Sequence, residues 1–133
     1  MEMNDFVYFL GETNGIVLVH FVGSLKDKAS LRIKDCIEDL RRLKPKGVII
    51  SFRDSLEIEH PSVMQFHKMQ KLILEMKAVL YFTGIHPNIR EMLEAGGVIQ
   101  SAKISNNIQQ ALAGVIEHFN NKAPKTKKSA KAS

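Results

Sequence analysis

The sequence has one cysteine in 133 residues, Cys36, so no internal disulfide can form. With no disulfide framework, a reducing compartment is expected, and the cytoplasm is the default. No apolar run approaches the roughly 20 residues that a membrane-spanning helix needs. The start, Met1-Glu2-Met3-Asn4-Asp5, is acidic and lacks the basic charge pattern of a secretory leader. Residues 120–133 contain no acid at all, only Lys122, Lys125, Lys127, Lys128 and Lys131 among their ionisable groups. There is no Gly-x-Gly-x-x-Gly, no phosphate-binding Gly-x4-Gly-Lys-Ser/Thr and no Gly-x-Ser-x-Gly. The usual phosphate-cradling loops and the hydrolase nucleophile elbow are therefore missing.

What is present is ordinary for a globular chain: 44% apolar and 25% charged residues. The length suits one domain that buries roughly two-thirds of its unfolded surface. The formal charge of +5 is concentrated at one end. Setting aside the five lysines of the tail leaves 14 basic against 14 acidic residues in 1–119. A neutral body gives no support to a nucleic-acid-binding face, so nucleic acid is an unfavoured partner. The expected organisation is one domain over 1–119 and a disordered Lys-rich tail over 120–133, too poor in apolar residues to fold.

Two strand-like runs open the chain, at 5–11 and 16–22. Asn14-Gly15 between them is a hairpin signal, because both residues tolerate positive φ. The second run, Ile16-Val17-Leu18-Val19-His20-Phe21-Val22, is almost continuously apolar, as in a strand covered on both faces. Asp27 suits a helix cap, and Ile33, Cys36, Ile37 and Leu40 follow at one-face helical spacing. That helix must stop before Pro45. Val48 to Phe52 reads as a buried strand, and 53–60 as a polar connection. Pro61 then opens a helix whose apolar face is Val63, Phe66, Met69, Leu72, Ile73 and Met76. Ala78 to Phe82 is the next strand, and Pro87 opens a short helix ended by Gly96-Gly97. A weak edge segment near Val98-Ile99 and Ile104 follows. A last amphipathic helix carries Ile108, Ala111, Leu112, Val115 and Phe119, capped at Asn106 or Asn107. The alternation predicts a mixed α/β sheet of four to five strands, with an N-terminal hairpin and about four helices mostly on one side.

Signs of chemistry are sparse. His60 and His67 would stand two helical turns apart, about 10 Å, too far to chelate one metal, so no metal site is expected. His20 lies in a strand, and His118 sits near a helix C-terminus where a cation is favourable. Cys36 lies on an apolar helix face and behaves there as a small hydrophobe. Met64, Met69 and Met76 read as core. Glu57 and Glu59 read as an acidic rim in preference to an acid/base pair. No cofactor is specified by any residue. The most informative place is the segment 53–62, which follows the carboxyl end of a central strand and leads into a helix N-terminus. Ser55 and Ser62 are its phosphorylation candidates, since a phosphate there would add about −1.5 to −2 of charge.

The runs Gly47-Val48-Ile49-Ile50-Ser51-Phe52, Leu80 to Gly97 and Ile108 to Phe119, taken in order, resemble the STAS family, the sulphate-transporter and anti-sigma-factor-antagonist domain. The run Leu80 to Gly97 is especially similar to stressosome-type members. The resemblance implies a STAS-like antagonist fold and a small cytoplasmic, non-catalytic bacterial regulator. It implies a partner kinase of the anti-sigma type or related STAS domains, and a phosphorylated Asp-Ser-Ser/Thr-Gly motif. An ungapped alignment puts that motif over Glu59-His60-Pro61-Ser62. His60 stands where the family has its phosphorylated serine, and Asp54-Ser55 comes five residues too early. The expected partner surface is Glu57, Glu59, His60, Pro61 and Ser62 with Thr83, Gly84 and His86. Self-association through the first strand, and peripheral contact of the Lys-rich tail with a membrane system, are further expectations.

Overall fold

A computed structural model describes residues 6–26, 28–99 and 103–122. The elements are β1 (Val7–Thr13), β2 (Ile16–Val22), α1 (Ala29–Leu43), β3 (Gly47–Asp54), α2 (His60–Glu75), β4 (Val79–Thr83), α3 (Pro87–Ala95), β5 (Lys103–Ser105) and α4 (Ile108–Lys122). Asn14 and Gly15 turn the hairpin with φ of 53° and 84°, pairing Thr13 with Ile16. The sheet order is β1-β2-β3-β4-β5; β1 is antiparallel and the other neighbours are parallel.

Three successive crossovers move along the sheet in one direction. Right-handed crossovers then place α1, α2 and α3 on the same face. There Val17, Val19 and Phe21 of β2, Val48, Ile50 and Phe52 of β3, and Leu80 and Phe82 of β4 form one core with Ile33, Leu40, Phe66, Ile73, Ile89 and Leu93. Alternate residues point the other way. Ile49 and Val79 meet Ala111 and Val115 of α4, with Ile16, Leu18, Tyr81 and Phe119 packed around them. The expected mixed sheet, hairpin and mostly one-sided helices are therefore found; α1, α2 and α3 share one face and α4 covers the other.

Some boundaries differ from the sequence reading. The first strand begins at Val7 and runs on to Thr13, because hairpin pairing continues to the turn. Arg53 and Asp54 extend β3, and His60 already belongs to α2, so the polar connection is 55–59. Lys28 holds the N-cap position of α1 without a side-chain bond. The expected cap Asp27, the first-strand residue Asp5 and the tail from residue 123 lie outside the described residues. Asn107 is the α4 cap, its Oδ1 accepting the Gln110 N–H at 2.8 Å. Met69 is core, but Met64 is 46% exposed. It stands one residue past Val63, about 100° round the helix from the buried stripe.

An aromatic chain runs through the core toward the carboxyl ends of the strands. Phe66 of α2 lies 5.4 Å from Phe21 and 5.3 Å from Phe52, and Phe52 meets Phe82 at 5.3 Å. Such tilted and edge-on pairs each add roughly 0.5–1.5 kcal/mol beyond burial. They fix the first turns of α2 against β2 and β3.

Candidate functional site

The carboxyl ends of β2, β3 and β4 carry three loops that are bound to one another. Gly23 N–H donates to the Asp54 carbonyl at 3.0 Å and Leu25 N–H to the Glu57 carbonyl at 2.9 Å. Glu59 N–H returns a bond to the Leu25 carbonyl at 3.0 Å, and Leu25 and Ile58 form a parallel bridge. Side chains add to this. His20 Nε2–H donates to Asp54 Oδ2 at 2.7 Å. Lys26 Nζ and Ser24 Oγ approach Glu57 Oε1 at 3.5 and 3.4 Å.

The β4–α3 loop joins the same construction. Gly84 has φ of 70°, and a Cβ there would lie 3.1 Å from the backbone of Arg53. The His86 ring donates through Nε2–H to the Arg53 carbonyl at 3.4 Å. Asn88 Nδ2 donates to the Leu56 carbonyl. The segment 53–59 is thus tied on both sides, by the β2–α1 loop and by the start of α3. A loop so held presents a surface of fixed shape.

The structure brings together most of the residues expected for the site. Glu57, His60 and Pro61 are exposed, and Glu59 is half-buried as the extended N-cap of α2. His60 and Pro61 take the first two helical positions, where Pro has no intrahelical N–H bond to lose. Gly84 and His86 are half-buried beside Arg53. The two serines and Thr83 lie beneath this surface. Ser55 is 0% exposed and Ser62 is 1% exposed, and Thr83 is also buried. Among the described residues, Ser55 Oγ and Thr83 Oγ1 have no hydrogen-bond partner.

Sequence reasoning missed two members of the surface. Leu56 is 59% exposed in the middle of the loop, and Met64 projects from the first turns of α2. Leu56 had a visible signal, since it is an isolated apolar residue between Asp54-Ser55 and Glu57. Met64 had one in its phase, off the Val63–Phe66–Met69 stripe. The surface therefore mixes two apolar knobs with Arg53, Asp54, Glu57 and His60, the blend found in the cores and rims of protein interfaces.

Elsewhere, Cys36 is fully buried, and burial, with the Asp39 carboxylate nearby, pushes its thiol up to about 12. A thiol held protonated is a packing group and not a nucleophile. The Tyr8 hydroxyl donates to Asp39 Oδ2 at 2.7 Å and is likewise raised, mainly by burial. Among the described residues no three His, Cys, Asp or Glu side chains are grouped to hold a metal ion. No helix among them is long and apolar enough to cross a membrane.

The model of the STAS domain matches residues 10–111. Solved structures of similar fold include an RsbS variant from Moorella thermoacetica, at 14% identity and a TM-score of 0.74, covering 85% of this chain and 97% of that one. An anti-sigma factor antagonist from Mycobacterium paratuberculosis gives 11% identity and 0.74, covering 85% and 96%. A sulfate transporter family protein from Wolinella succinogenes gives 17% identity and 0.70, covering 81% and 90%. No curated protein matches the sequence significantly.

Proposed function

Because the chain belongs to the STAS domain family, we propose that it is a non-catalytic regulatory interaction module of the cytoplasm, acting like an anti-sigma-factor antagonist or a scaffold of related domains. Its partner is a serine kinase of the anti-sigma type or another STAS domain. The docking surface is the carboxyl end of the sheet, with Leu56 and Met64 as apolar anchors and Arg53, Glu57, His60 and Pro61 around them. The carrying observation is this exposed, mixed surface on loops bound at both sides, in a fold shared with an anti-sigma factor antagonist. A rigid surface loses little entropy on binding.

The place of the family's phosphorylated serine is held by His60, and Ser62 and Ser55 are both buried. That burial supports a constitutive antagonist or scaffold over a serine phospho-switch. Phosphorylation of Ser62 or Ser55 would need the first turn of α2 or the loop before it to open. Self-association is part of the same reading. β1 is a sheet edge, and exposed Phe9 faces away from the main core on it.

The fold shared with a sulfate transporter family protein favours a second reading, an accessory subunit of an anion or lipid transport system. Affinity purification of the tagged chain from its own host, with intact-mass analysis of the bait, separates the two. Recovery of a serine kinase or sigma-factor regulator with an unmodified bait is the expected result. A phosphate mapped to Ser62 or Ser55 restores the switch. Recovery of a membrane transporter without a kinase replaces the first reading by the second.

A further inference from the structure

The opposite end of the sheet, where the parallel strands begin, has a different character. A cleft of about 280 Å³ is lined there by Lys44, Lys46, Lys77 and His118, over an apolar floor of Met76 and Phe119. Among the described residues no carboxylate lines it, and none of the three lysines forms an ion pair. Acids do stand on nearby elements: Glu12 on β1, Glu75 on α2 and Glu117 on α4. The Glu12 carboxylate accepts the Gly15 N–H and so serves the hairpin turn. Residues 1–119 are formally neutral, so three unpaired cations around one cleft are an arrangement and not a reflection of composition.

The backbone of each lysine is fixed. Lys44 N–H donates to the Leu40 carbonyl at 3.0 Å, Lys46 N–H to the Gly15 carbonyl at 2.7 Å, and Lys77 N–H to the Leu74 carbonyl at 2.9 Å. The Lys46 stem lies along the hairpin turn, its Cδ 3.5 Å from where a Gly15 Cβ would stand. Lys44 and Lys77 follow the ends of α1 and α2 with φ of 49° and 60°. Glycine is the usual residue where a helix ends in this conformation, and a Cβ there is strained. Asn14 is the one other non-glycine residue at positive φ among the described residues. Two of three left-handed side chains thus carry a cation to the same cleft, and strain kept in one place points to a use. Lysines beyond helix C-termini also answer the helix dipole, about half a negative charge at each end. The ends of α1 and α2 together supply about one such charge against three cations. Lys46, just before β3, answers no helix end.

We propose that this cleft binds a small organic phosphate monoester. Such a group carries about −1.5 to −2 of charge at pH 7 and three strong acceptor oxygens, so it engages several lysines at once. Lysine meets phosphate as a point charge, and no arginine fork lines the cleft to grip a planar carboxylate. The His118 ring adds an N–H donor. Met76 and Phe119 give the organic part an apolar floor with one aromatic face. The volume lies just below the roughly 300–1,000 Å³ of pockets for drug-sized ligands, so that organic part is small. The cleft and the partner surface stand at opposite ends of the strands, and the proposal holds whether or not the reading of that surface is correct.

The test is an NMR titration of the full chain with phenyl phosphate, against inorganic phosphate and benzenesulfonate. Phenyl phosphate is expected to give saturable amide shifts centred on residues 44–47, 76–77 and 118–119. It should bind more tightly than either comparator, since inorganic phosphate lacks the ring and benzenesulfonate lacks the second charge. Lys46→Gln should weaken binding about fivefold, the loss of one unit charge at about 4 Å in water. The double variant Lys44→Gly and Lys77→Gly should weaken it about twenty-five-fold, at about fivefold per lysine. The same double variant should melt no lower than the parent, because glycine suits both left-handed positions, and this separates the site from a folding defect. A control on another surface, Lys34→Gln with Lys68→Gln, loses the same charge as the glycine pair and should bind as the parent does. Absence of saturable shifts at the cleft overturns the proposal, as does equal binding of either comparator. So does a glycine pair that binds like the parent, or a control pair that loses as much. Phosphatidylglycerol vesicles that shift the cleft amides when phenyl phosphate does not would assign the lysines to a lipid surface, and overturn it too.

Discussion

Gly84 rests on the backbone of Arg53: a Cβ at position 84 would lie 3.1 Å from Arg53 N, Cα and Cβ, at a φ of 70°. Two separate demands therefore fall on one glycine, a left-handed backbone and a close approach to the end of β3. Gly97 shares the first demand, with φ of 76°, but has nothing within 4 Å of its would-be Cβ. Gly97→Ala should lower stability by about 1 kcal/mol, the left-handed term alone. Gly84→Ala should lower it by about 2–3 kcal/mol, because the neighbour is backbone and yields little. Urea unfolding of both variants measures the difference. Equal losses would show that the β4–α3 loop is not seated on Arg53.

Leu56 and Met64 are large apolar side chains held out in solvent, so their removal should separate binding from stability. Leu56→Ala and Met64→Ala should each shift unfolding free energy by no more than about 0.5 kcal/mol, as at other surface positions. The double variant should lose the partner recovered by affinity purification, since central apolar anchors carry most interface energy. Asp54→Asn is a useful companion. Its bond to His20 is partly exposed and contributes little to stability, roughly 0–1 kcal/mol, yet the residue lies inside the docking surface. Retention of the partner by the Leu56/Met64 double variant would move the interface elsewhere on the molecule.

The Cys36 thiol gives the fold a pH dependence with a definite sign. Its ordinary value is 9.0, and burial followed by the Asp39 carboxylate raises it to about 12 in the folded chain. Below 9.0 both folded and unfolded thiols are protonated, and the full stability is present. Above it the unfolded chain releases a proton that the folded chain retains, so stability falls as pH rises toward 12. The slope for one group is about 1.4 kcal/mol per pH unit. Tyr8, also raised, adds to the loss at the upper end of the window. Denaturant midpoints of the parent should fall more steeply with pH than those of Cys36→Ala. Parallel slopes would mean that the thiol is not sealed from water.

The fold was legible in the sequence because its cues agree at several levels. Asn14-Gly15 marked the hairpin, Pro45 and Pro61 bounded helices, and the Ile33–Cys36–Ile37–Leu40 stripe is buried along its length. The order of elements implied the crossover hand, and with it the face on which three helices lie. The site was less legible for two reasons. Strand ends are set by pairing across the sheet, so Arg53 and Asp54, polar in sequence, are strand residues through β2, where Asp54 pairs with Val22. Exposure is set by how neighbouring elements cover a side chain. Ser62 reads like a surface residue of a helix start but is sealed under it, whereas Met64 reads like core but is exposed.

Ser62 and His60 occupy the same helical turn and differ in what they face, which gives a sharp test of the serine switch. Ser62 is the third helical residue of α2 and is 1% exposed; His60 is the first and is exposed. A carboxylate near a helix N-terminus is normally stabilising by about 0.3–1 kcal/mol. His60→Glu should show that gain, or at least no loss, because its charge stays in water. Ser62→Glu has the same dipole term but must place a charge under the turn, where an uncompensated buried carboxylate costs roughly 3–5 kcal/mol. The expected result is a clear fall in melting temperature for Ser62→Glu and none for His60→Glu. A phosphate, larger and more highly charged, would face the same barrier at Ser62. If Ser62→Glu instead melts with the parent, the first turn opens at little cost, and Ser62 again becomes an accessible phosphate acceptor with an opening helix end as its switch.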